Sequence, residues 1–251
     1  MASAAESSTS ERRARCPVSV PDCVWGFPDP EATDGSGADE HGLVAVGADL
    51  EPSTLVHAYR QGMFPWPHGG RRRMPWFSPN PRGLLPPEKL RVSKSLRQRL
   101  RRSGWETTVD ADFEQVISAC ANPHQDDGTW ITPRMRTAYT ELHDLGWAHS
   151  VEVWDGGRLV GGLYGVQVGA IFTGESMFHH DTDASKVALV ELVYRMAEAG
   201  GQLIDVQLPT PHLASLGAIA VPRSLFLELL RELRDDPVRM VTDRLPVARH
   251  A

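Results

Sequence analysis

The 251-residue sequence has no apolar run of the roughly 18–20 residues that a membrane-spanning helix needs. Its three cysteines, Cys16, Cys23 and Cys120, are an odd number without metal-ligand spacing, which predicts a reducing, cytosolic setting. The first 24 residues lack the apolar segment of a signal peptide. No G-x-G-x-x-G, Walker or G-x-S-x-G motif occurs, and the histidines show no ligand spacing. These absences exclude a membrane-spanning protein and give no support to metal or nucleotide chemistry.

The chain has enough apolar material for a buried core, since 41% of its residues are hydrophobic and 23% are charged. Its length allows one large domain or two unequal ones. The net charge is −6, but the window from Arg71 to Trp105 holds eleven Lys and Arg against one acid, Glu88. That window therefore carries +10 and the rest of the chain −16. Such segregation favours either a surface that faces a polyanion or a solvated basic helix face.

Composition divides the chain into four stretches. Residues 1–23 and 236–251 are expected to be tails, disordered and without an apolar face, and residues 24–87 a small irregular N-terminal domain. Residues 88–235 are expected to form the larger domain. In the small domain we predict one helix over residues 53–61, with Ser53 as N-cap, and aromatic loops without regular structure over 62–67 and 75–79.

The larger domain has an α+β pattern. Helices are predicted over residues 93–102, 112–120, 132–145, 183–199 and 224–233, with Asp183 as the N-cap of the fourth. Strands are predicted over residues 149–154, 159–168, 170–178 and 202–208. The Asp155-Gly156-Gly157 turn between two apolar runs is typical of a β-hairpin.

Two polar residues interrupt the last predicted strand. Asp205 and Gln207 are expected to share one face, because side chains alternate along a strand. A buried carboxylate is costly unless it is hydrogen-bonded or used in chemistry, so a structural and a catalytic Asp205 both remain open. Aromatic residues near the basic window suit either base stacking or the pinning of loops.

Nine short segments carry a further signal: 42–50 (GLVAVGADL), 58–66 (AYRQGMFPW), 76–82 (WFSPNPR), 128–132 (GTWIT), 149–154 (HSVEVW), 174–178 (GESMF), 184–186 (ASK), 203–207 (LIDVQ) and 214–218 (ASLGA). In this order, and within a stretch from about Val24 to Leu233, the sequence resembles the bacterial leucyl/phenylalanyl-tRNA–protein transferases. The resemblance implies a small N-terminal domain on an acetyltransferase-like (GNAT) domain with a central, mainly antiparallel sheet.

The resemblance also implies a reaction: Leu or Phe, with Met as a further candidate, passes from its tRNA to the α-amino group of a protein that begins with Arg or Lys. The product is marked for N-degron proteolysis. The implied partners are Leu-tRNA, Phe-tRNA and these acceptor proteins, with no metal, nucleotide or CoA and with a monomeric, cytoplasmic enzyme. Consistently, the acyl-CoA phosphate loop Q/R-x-x-G-x-G/A is not found near residues 178–183.

By resemblance, Asp205, Gln207 and Glu175 are the catalytic residues. Gln207 is expected to orient the amine or the ester, and Asp205 to accept a proton or stabilise the ammonium group. Glu175 is expected to hold the amino group of the donor or the hydrogen bonds around Asp205. In a rival mechanism a ribose hydroxyl of the tRNA moves the proton and Asp205 is purely electrostatic.

The remaining implied residues bind the donor. Trp66 and Trp130 match adenosine-stacking tryptophans, with Tyr59 and Tyr139 near the same site. The donor side chain is expected in a pocket of Leu163, Phe172, Met177, Leu189, Leu192, Met196 and Ile204. Phosphate contacts are expected from Arg82, Arg91, Lys94, Arg97, Arg99, Arg101 and Arg102. Leu163, Leu192 and Met196 stand where the family often has Met or aromatic residues, which leaves the ranking of donors open.

Two other functions are compatible with the sequence. An acyl-CoA N-acyltransferase on the same fold requires CoA binding, which the missing phosphate loop argues against. A non-catalytic RNA-binding module explains the basic window but not the paired Asp205 and Gln207.

Overall fold

The computed structural model describes residues 11–32, 35, 37–67, 73–122 and 130–251. Their strands are β1 (Leu43–Val46), β2 (Phe64–Pro65), β3 (Pro75–Phe77), β4 (Arg82–Leu85), β5 (Glu106–Val109), β6 (Ala148–Asp155), β7 (Arg158–Val168), β8 (Ile171–His179), β9 (Leu203–Gln207), β10 (Ile219–Val221) and β11 (Leu245–Pro246). Their α-helices are α1 (Pro52–Arg60), α2 (Lys94–Arg102), α3 (Phe113–Cys120), α4 (Pro133–Asp144), α5 (Ala184–Glu198), α6 (Pro211–Ser215) and α7 (Arg223–Leu233). Arg71, Arg72, residues 1–10 of the predicted tail and residues 128–129 of the fourth segment lie outside these ranges.

A large mixed sheet organises the molecule. Eight strands follow the order β10-β4-β9-β8-β7-β6-β5-β11, and β1, β3 and β2 form a smaller sheet. All neighbouring pairs of the large sheet are antiparallel except β8 and β9, which run parallel. The predicted α+β class with a mainly antiparallel sheet is therefore confirmed, as is the order of three strands, a helix and a strand from β6 to β9.

Side-chain caps explain why three helices begin where the sequence predicts. The side chains of Ser93, Asp112 and Thr132 accept hydrogen bonds from backbone N–H groups three residues later, at 3.2, 3.0 and 3.3 Å. The structure differs from two of the N-cap predictions, those for Ser53 and Asp183. Helix α1 has Glu51 as N-cap and Pro52 in its first turn, a position where the missing N–H of proline costs nothing. Asp183 is at the N-cap of α5 but does not cap it; its carboxylate accepts from Lys186 Nζ instead, at 2.8 Å.

Helices cover both faces of the large sheet. Along β7, Tyr164, Val166 and Val168 belong to a core shared with α1, α3, α4 and the small sheet, whereas Leu163 belongs to a core shared with α2 and α5. This follows from the two-residue period of a strand. The N-terminal residues therefore share a core with the large sheet. The predicted domain boundaries stay a prediction, although β4 precedes residue 87 and pairs within the large sheet.

The aromatic segments are more regular than expected. Both contain short strands, β2 and β3, which pair through Phe64 and Phe77 and through Pro65 and Trp76. The prediction of loops without regular structure is wrong there. Strands of two or three residues that contain proline give no alternating pattern to detect.

The C-terminal residues are packed and not a free tail. Val238, Met240 and Val247 are buried, which contradicts the expectation that 236–251 has no apolar face. Arg195 donates to the backbone of this segment and, through Nε at 2.6 Å, to Glu191. Burial opposes ionisation of Glu191, but the bond from His250 and the charges of Arg195 and Arg249 outweigh it and lower its pKa to about 2. Among the described helices, none is long and apolar enough to cross a bilayer.

Candidate active site

The site begins where two parallel strands part. Strands β8 and β9 pair only through residues 171–173 and 203–205. Just beyond this point β8 has a bulge: Gly174 and Ser176 face consecutive residues of β7, so that Glu175 is the extra residue. A bulge bends its strand and redirects a side chain. Glu175 therefore leaves the regular alternation at the point where β9 stops pairing with β8.

Strand β9 has its own irregularity opposite β4. Asp205 and Gln207 face consecutive residues of β4, so that Val206 is the extra residue. Gln207 adopts a left-handed backbone conformation with φ of +62°, which is uncommon for a residue other than glycine. The predicted alternation of Asp205 and Gln207 on one face is therefore broken, and the two side chains have different surroundings.

A mainly apolar cavity of about 270 Å³ occupies the gap between the strands. It is lined by Phe64, Pro65, Trp66, Trp130, Leu163, Gly174, Glu175, Ser176, Met177, Leu189, Leu192, Ile204, Val206, Gln207, Leu208, Thr210 and Leu213. Five of the seven predicted pocket residues are on this wall: Leu163, Met177, Leu189, Leu192 and Ile204.

The other two predicted pocket residues, Phe172 and Met196, lie in the core outside the wall. Phe172 pairs with Ile204 where β8 and β9 are still joined, before the gap opens. Met196 is one helical turn beyond Leu192 and packs against Gly201, where an added Cβ would come within 2.5 Å of the Met196 methyl group. Both residues support the cavity without lining it.

Asp205 lies beneath the cavity and is 0% exposed. Its Oδ1 accepts from Arg82 Nε at 2.8 Å and from the backbone N–H of Gln207 at 2.9 Å. Its Oδ2 accepts from Arg82 Nη2 at 2.6 Å and from Thr173 Oγ1 at 3.1 Å. Four hydrogen bonds thus satisfy this buried carboxylate.

Arg82 is also buried, with 1% of the residue exposed. Beyond its two bonds to Asp205, its Nη1 donates to the carbonyl oxygen of Gly62 at 3.1 Å. The guanidinium carbon is 5.0 Å from the ring centre of Phe64 and 4.3 Å from that of Phe226. The predicted contact of Arg82 with a tRNA phosphate is therefore wrong, because this side chain is enclosed and committed to Asp205.

Glu175 connects the cavity wall to the hydroxyl groups behind it. Its Oε1 accepts from Gln207 Nε2 at 2.8 Å, and its Oε2 accepts from Tyr139 Oη at 3.2 Å. Burial raises the pKa of Glu175 to about 7 and the charge of Asp205 adds to this, while bonds from Tyr59 and Tyr139 and the charge of Arg82 oppose it. The cavity thus has a carboxyl group poised to exchange a proton near neutral pH.

Tyr59 and Tyr139 do not face the cavity as the prediction of adenosine contacts requires. Both are buried, and their hydroxyl oxygens are 2.6 Å apart. Burial, together with the charge of Glu175, raises the pKa of each phenol well above its usual range. They therefore act as neutral hydrogen-bond donors that hold the Glu175 carboxylate.

Trp66 and Trp130 are half-buried on the cavity wall. Trp66 packs edge-on against Phe77, with ring centres 5.7 Å apart and planes at 73°. The segment that carries it leaves α1 through Gly62, the residue whose carbonyl Arg82 holds. The position of this indole is therefore linked to the ion pair beneath the cavity.

The basic helix α2 has the character predicted from its sequence. Leu96 and Leu100 are buried, whereas Lys94, Arg97, Arg101 and Arg102 are exposed. Arg99 is half-buried, with its guanidinium carbon 5.5 Å from the ring centre of Trp105. Arg91, just before the helix, is exposed.

Sequence reasoning missed several features of the site. It missed the wall residues Phe64, Pro65, Val206, Leu208, Thr210 and Leu213. It also missed the pairing of Arg82 with Asp205, because the two residues lie 123 positions apart in the sequence.

Comparison with known proteins gives consistent matches. A family model described as leucyl/phenylalanyl-tRNA protein transferase matches residues 84–231, and a model of its N-terminal domain matches residues 48–80. The transferase of this name from Stutzerimonas stutzeri is 52% identical over 200 residues, which cover 79% of this chain and 88% of that protein. The transferase from Shewanella baltica is 46% identical over 217 residues, covering 86% and 90%.

One solved structure that matches is far less similar. L-PGS from Bacillus licheniformis has a TM-score of 0.37 and 12% identity, covering 72% of this chain and 61% of that chain, which is too weak to support an argument. The sequence matches decide the class: the chain is an aminoacyltransferase. It belongs to the leucyl/phenylalanyl-tRNA–protein transferase family, as the resemblance predicted.

The contacts of Glu175 predict how it titrates. In the wild-type chain, carboxyl ¹³C NMR of labelled glutamate should show one midpoint near 7. Tyr139→Phe removes a hydrogen bond to the charged form, worth about 1.5–3 kcal/mol, and should raise that midpoint by about one to two units. Tyr164→Phe is the matched control, because the buried Tyr164 hydroxyl has no hydrogen-bond partner in the described residues. An unchanged midpoint in Tyr139→Phe would contradict the network.

Proposed function

We propose that this protein transfers Leu or Phe, with Met as a further candidate, from aminoacyl-tRNA to the α-amino group of proteins that begin with Arg or Lys. One observation supports this most: an apolar cavity with two tryptophans and a half-buried, hydrogen-bonded Gln207–Glu175 pair on the same wall. The family indicates the substrate classes. The cavity wall offers apolar residues for the amino-acid side chain, two indole rings for the terminal adenosine, and Glu175 and Gln207 for the ester. The basic acceptor residue, the role in N-degron proteolysis, the monomeric state and the cytoplasm rest on the resemblance alone.

The donor fits the cavity in two parts. The amino-acid side chain enters between Leu163, Leu189 and Leu192, where burial of apolar area contributes about 25 cal/mol per Å². The terminal adenosine of the tRNA stacks on Trp66 and Trp130, and such stacking contributes about 1–3 kcal/mol per base. The ester bond then lies near Glu175 and Gln207.

The chemistry requires little acid–base power, because an aminoacyl ester is already activated. The neutral α-amine of the acceptor attacks the ester carbonyl carbon, a C–N bond forms, and the C–O bond to the terminal ribose breaks. The nitrogen gives one proton to the carboxylate of Glu175, which passes it to the departing ribose oxygen and is restored. Orientation of the two reactants can provide on the order of 7–11 kcal/mol.

Asp205 has a different task in this scheme from the one expected. Its two oxygens are buried and already accept four hydrogen bonds, so it is not the proton acceptor. It fixes the backbone of Gln207, whose side-chain amide then points at Glu175. Gln207 orients the amine and the ester, and Glu175 moves the proton.

The proposal also includes the fold class of the large sheet. We assign the large sheet to the acetyltransferase-like (GNAT) class, supported by its mainly antiparallel order and by the parting of β8 and β9. In this chain the gap takes an aminoacyl ester in place of acyl-CoA. The turn after β8 lacks the Q/R-x-x-G-x-G/A loop that would hold the CoA phosphates.

A transfer assay tests the function directly. Labelled Leu-tRNA and Phe-tRNA should each label a peptide that begins with Arg or Lys, and the same assay with Met-tRNA decides whether Met is also a donor. A peptide with the same sequence and an acetylated N-terminus is the control, because it has no free α-amine. Binding of tRNA without labelling would indicate a non-catalytic RNA-binding module, and labelling from leucyl-CoA would indicate an acyl-CoA transferase.

Glu175→Gln tests the proton path. The acid side of the wild-type rate profile should reflect two ionisations, Glu175 near 7 and the acceptor α-amine near 7.7–8. Glu175 must be ionised to accept a proton, so the rate falls as pH drops below 7. The variant should keep only the amine ionisation and have a plateau about 10²–10⁴-fold lower. An unchanged plateau would instead favour a ribose hydroxyl of the tRNA as proton carrier.

Charge reversal on α2 tests the tRNA surface. The double variant Arg97→Glu/Arg101→Glu should weaken tRNA binding and make the slope of log affinity against log salt less steep, by roughly 0.7–0.9 for each phosphate that the protein no longer neutralises. Arg231→Glu, an exposed arginine of α7, is the control for charge alone. Equal slopes in the double variant and the wild type would remove α2 from the tRNA interface.

A further inference from the structure

The ion pair beneath the cavity connects two parts of the site, the end of β9 and the segment after α1. On one side, Asp205 accepts from the backbone N–H of Gln207 at 2.9 Å. On the other side, Arg82 donates to the carbonyl of Gly62 at 3.1 Å. Gly62 is the turn residue after α1, and Trp66 follows it on the cavity wall. A single guanidinium group therefore joins the strand that carries the amide to the segment that carries the indole.

We propose that Arg82 is a positioning residue for aminoacyl transfer, which sets the distance between the Gln207 amide and the Trp66 segment across the cavity. The proposal rests on the proposed function. Arg82 itself touches no substrate, because it is enclosed by Phe64, Phe226 and Asp205. It acts through Asp205 on one side and through Gly62 on the other.

Geometry makes arginine the required residue. Three separate nitrogen atoms of the side chain are used: Nε and Nη2 for the two oxygens of Asp205 and Nη1 for Gly62. The planar guanidinium group presents these donors in a fixed fork, whereas a lysine ammonium group is a single point with rotating donors. Lysine keeps the charge but cannot hold both oxygens and the carbonyl at these positions.

Both groups held in this way have left-handed backbone conformations. Gln207 has a φ of +62°, a conformation that a glutamine keeps only when its surroundings enforce it. Its backbone bond to Asp205 provides that restraint. Gly62 has a φ of +78°, and an added Cβ would come within 2.5 Å of a Leu227 methyl group, so this turn has room only for glycine.

Arg82→Lys is the informative variant, and Arg195→Lys is its matched control. Arg195 is equally buried and pairs with Glu191 at 2.6 Å, but it belongs to the C-terminal contacts and not to the cavity. We expect Arg82→Lys to lower the single-turnover transfer rate at saturating Leu-tRNA and peptide by about tenfold or more, since misplacement by about 1 Å can cost 10²-fold. The Kd for Leu-tRNA should change less than about threefold, because phosphate contacts dominate it.

Hydrogen exchange gives a readout that does not depend on activity. Residues 203–208 should exchange faster in Arg82→Lys than in Arg195→Lys at matched thermal stability, because the N–H of Gln207 loses its fixed acceptor. A rate and an exchange pattern equal to those of Arg195→Lys would overturn the proposal. If the wild-type chain transfers no amino acid, the proposed function fails, and the exchange result still decides whether Arg82 restrains Gln207.

Discussion

A buried ion pair between β4 and β9 is the interaction on which the site depends. Removing two charges from water costs several kcal/mol for each ion, and a buried pair offsets this only with excellent geometry and further hydrogen bonds. Arg82 and Asp205 meet both conditions, with two direct bonds and additional partners in Gly62, Thr173 and Gln207. Loss of one partner from such a pair typically costs about 3–5 kcal/mol, so each charge requires the other.

The same packing that encloses the ion pair gives Glu175 its chemistry. Strands β8 and β9 part immediately after the residues that hold Asp205, and the gap is lined mainly by apolar side chains. Burial in this gap raises the pKa of Glu175 to about 7. In the proposed reaction, the apolar lining that receives a leucine side chain also keeps a carboxyl group ready to take a proton at neutral pH. Donor binding and proton transfer then depend on the same burial.

The sequence predicted the features that depend on long, regular patterns. Strands β6, β7 and β8 are long enough for their apolar pattern to be detected, and the caps Ser93, Asp112 and Thr132 lie at the starts of their helices. Glu175, Gln207 and five of the predicted pocket residues lie on the cavity wall, where the resemblance implied a site.

The wrong predictions have a common physical cause, because each concerns a residue that departs locally from a regular pattern. Alternation predicted one face for Asp205 and Gln207, but the bulge at Val206 separates them. A basic residue in a basic window predicted an exposed Arg82, but an acid 123 residues away draws it into the core. Neither exception is encoded within a short window, because each depends on a partner strand that only the tertiary fold brings close.

Leu163, Leu192 and Met196 differ from the residues that the family often has at these positions. In the proposed reaction, only those that line the cavity can directly alter the choice of donor. Leu163 and Leu192 line the cavity, whereas Met196 packs behind it against Gly201. A hydrophobic pocket distinguishes side chains by only about 1–3 kcal/mol per methylene group, so direct contact is needed to use that difference. The phosphate contacts proposed for α2 carry no sequence information and would act alike on every tRNA. Selection among Leu, Phe and Met therefore falls to Leu163 and Leu192, while Met196 affects it only through the packing of α5.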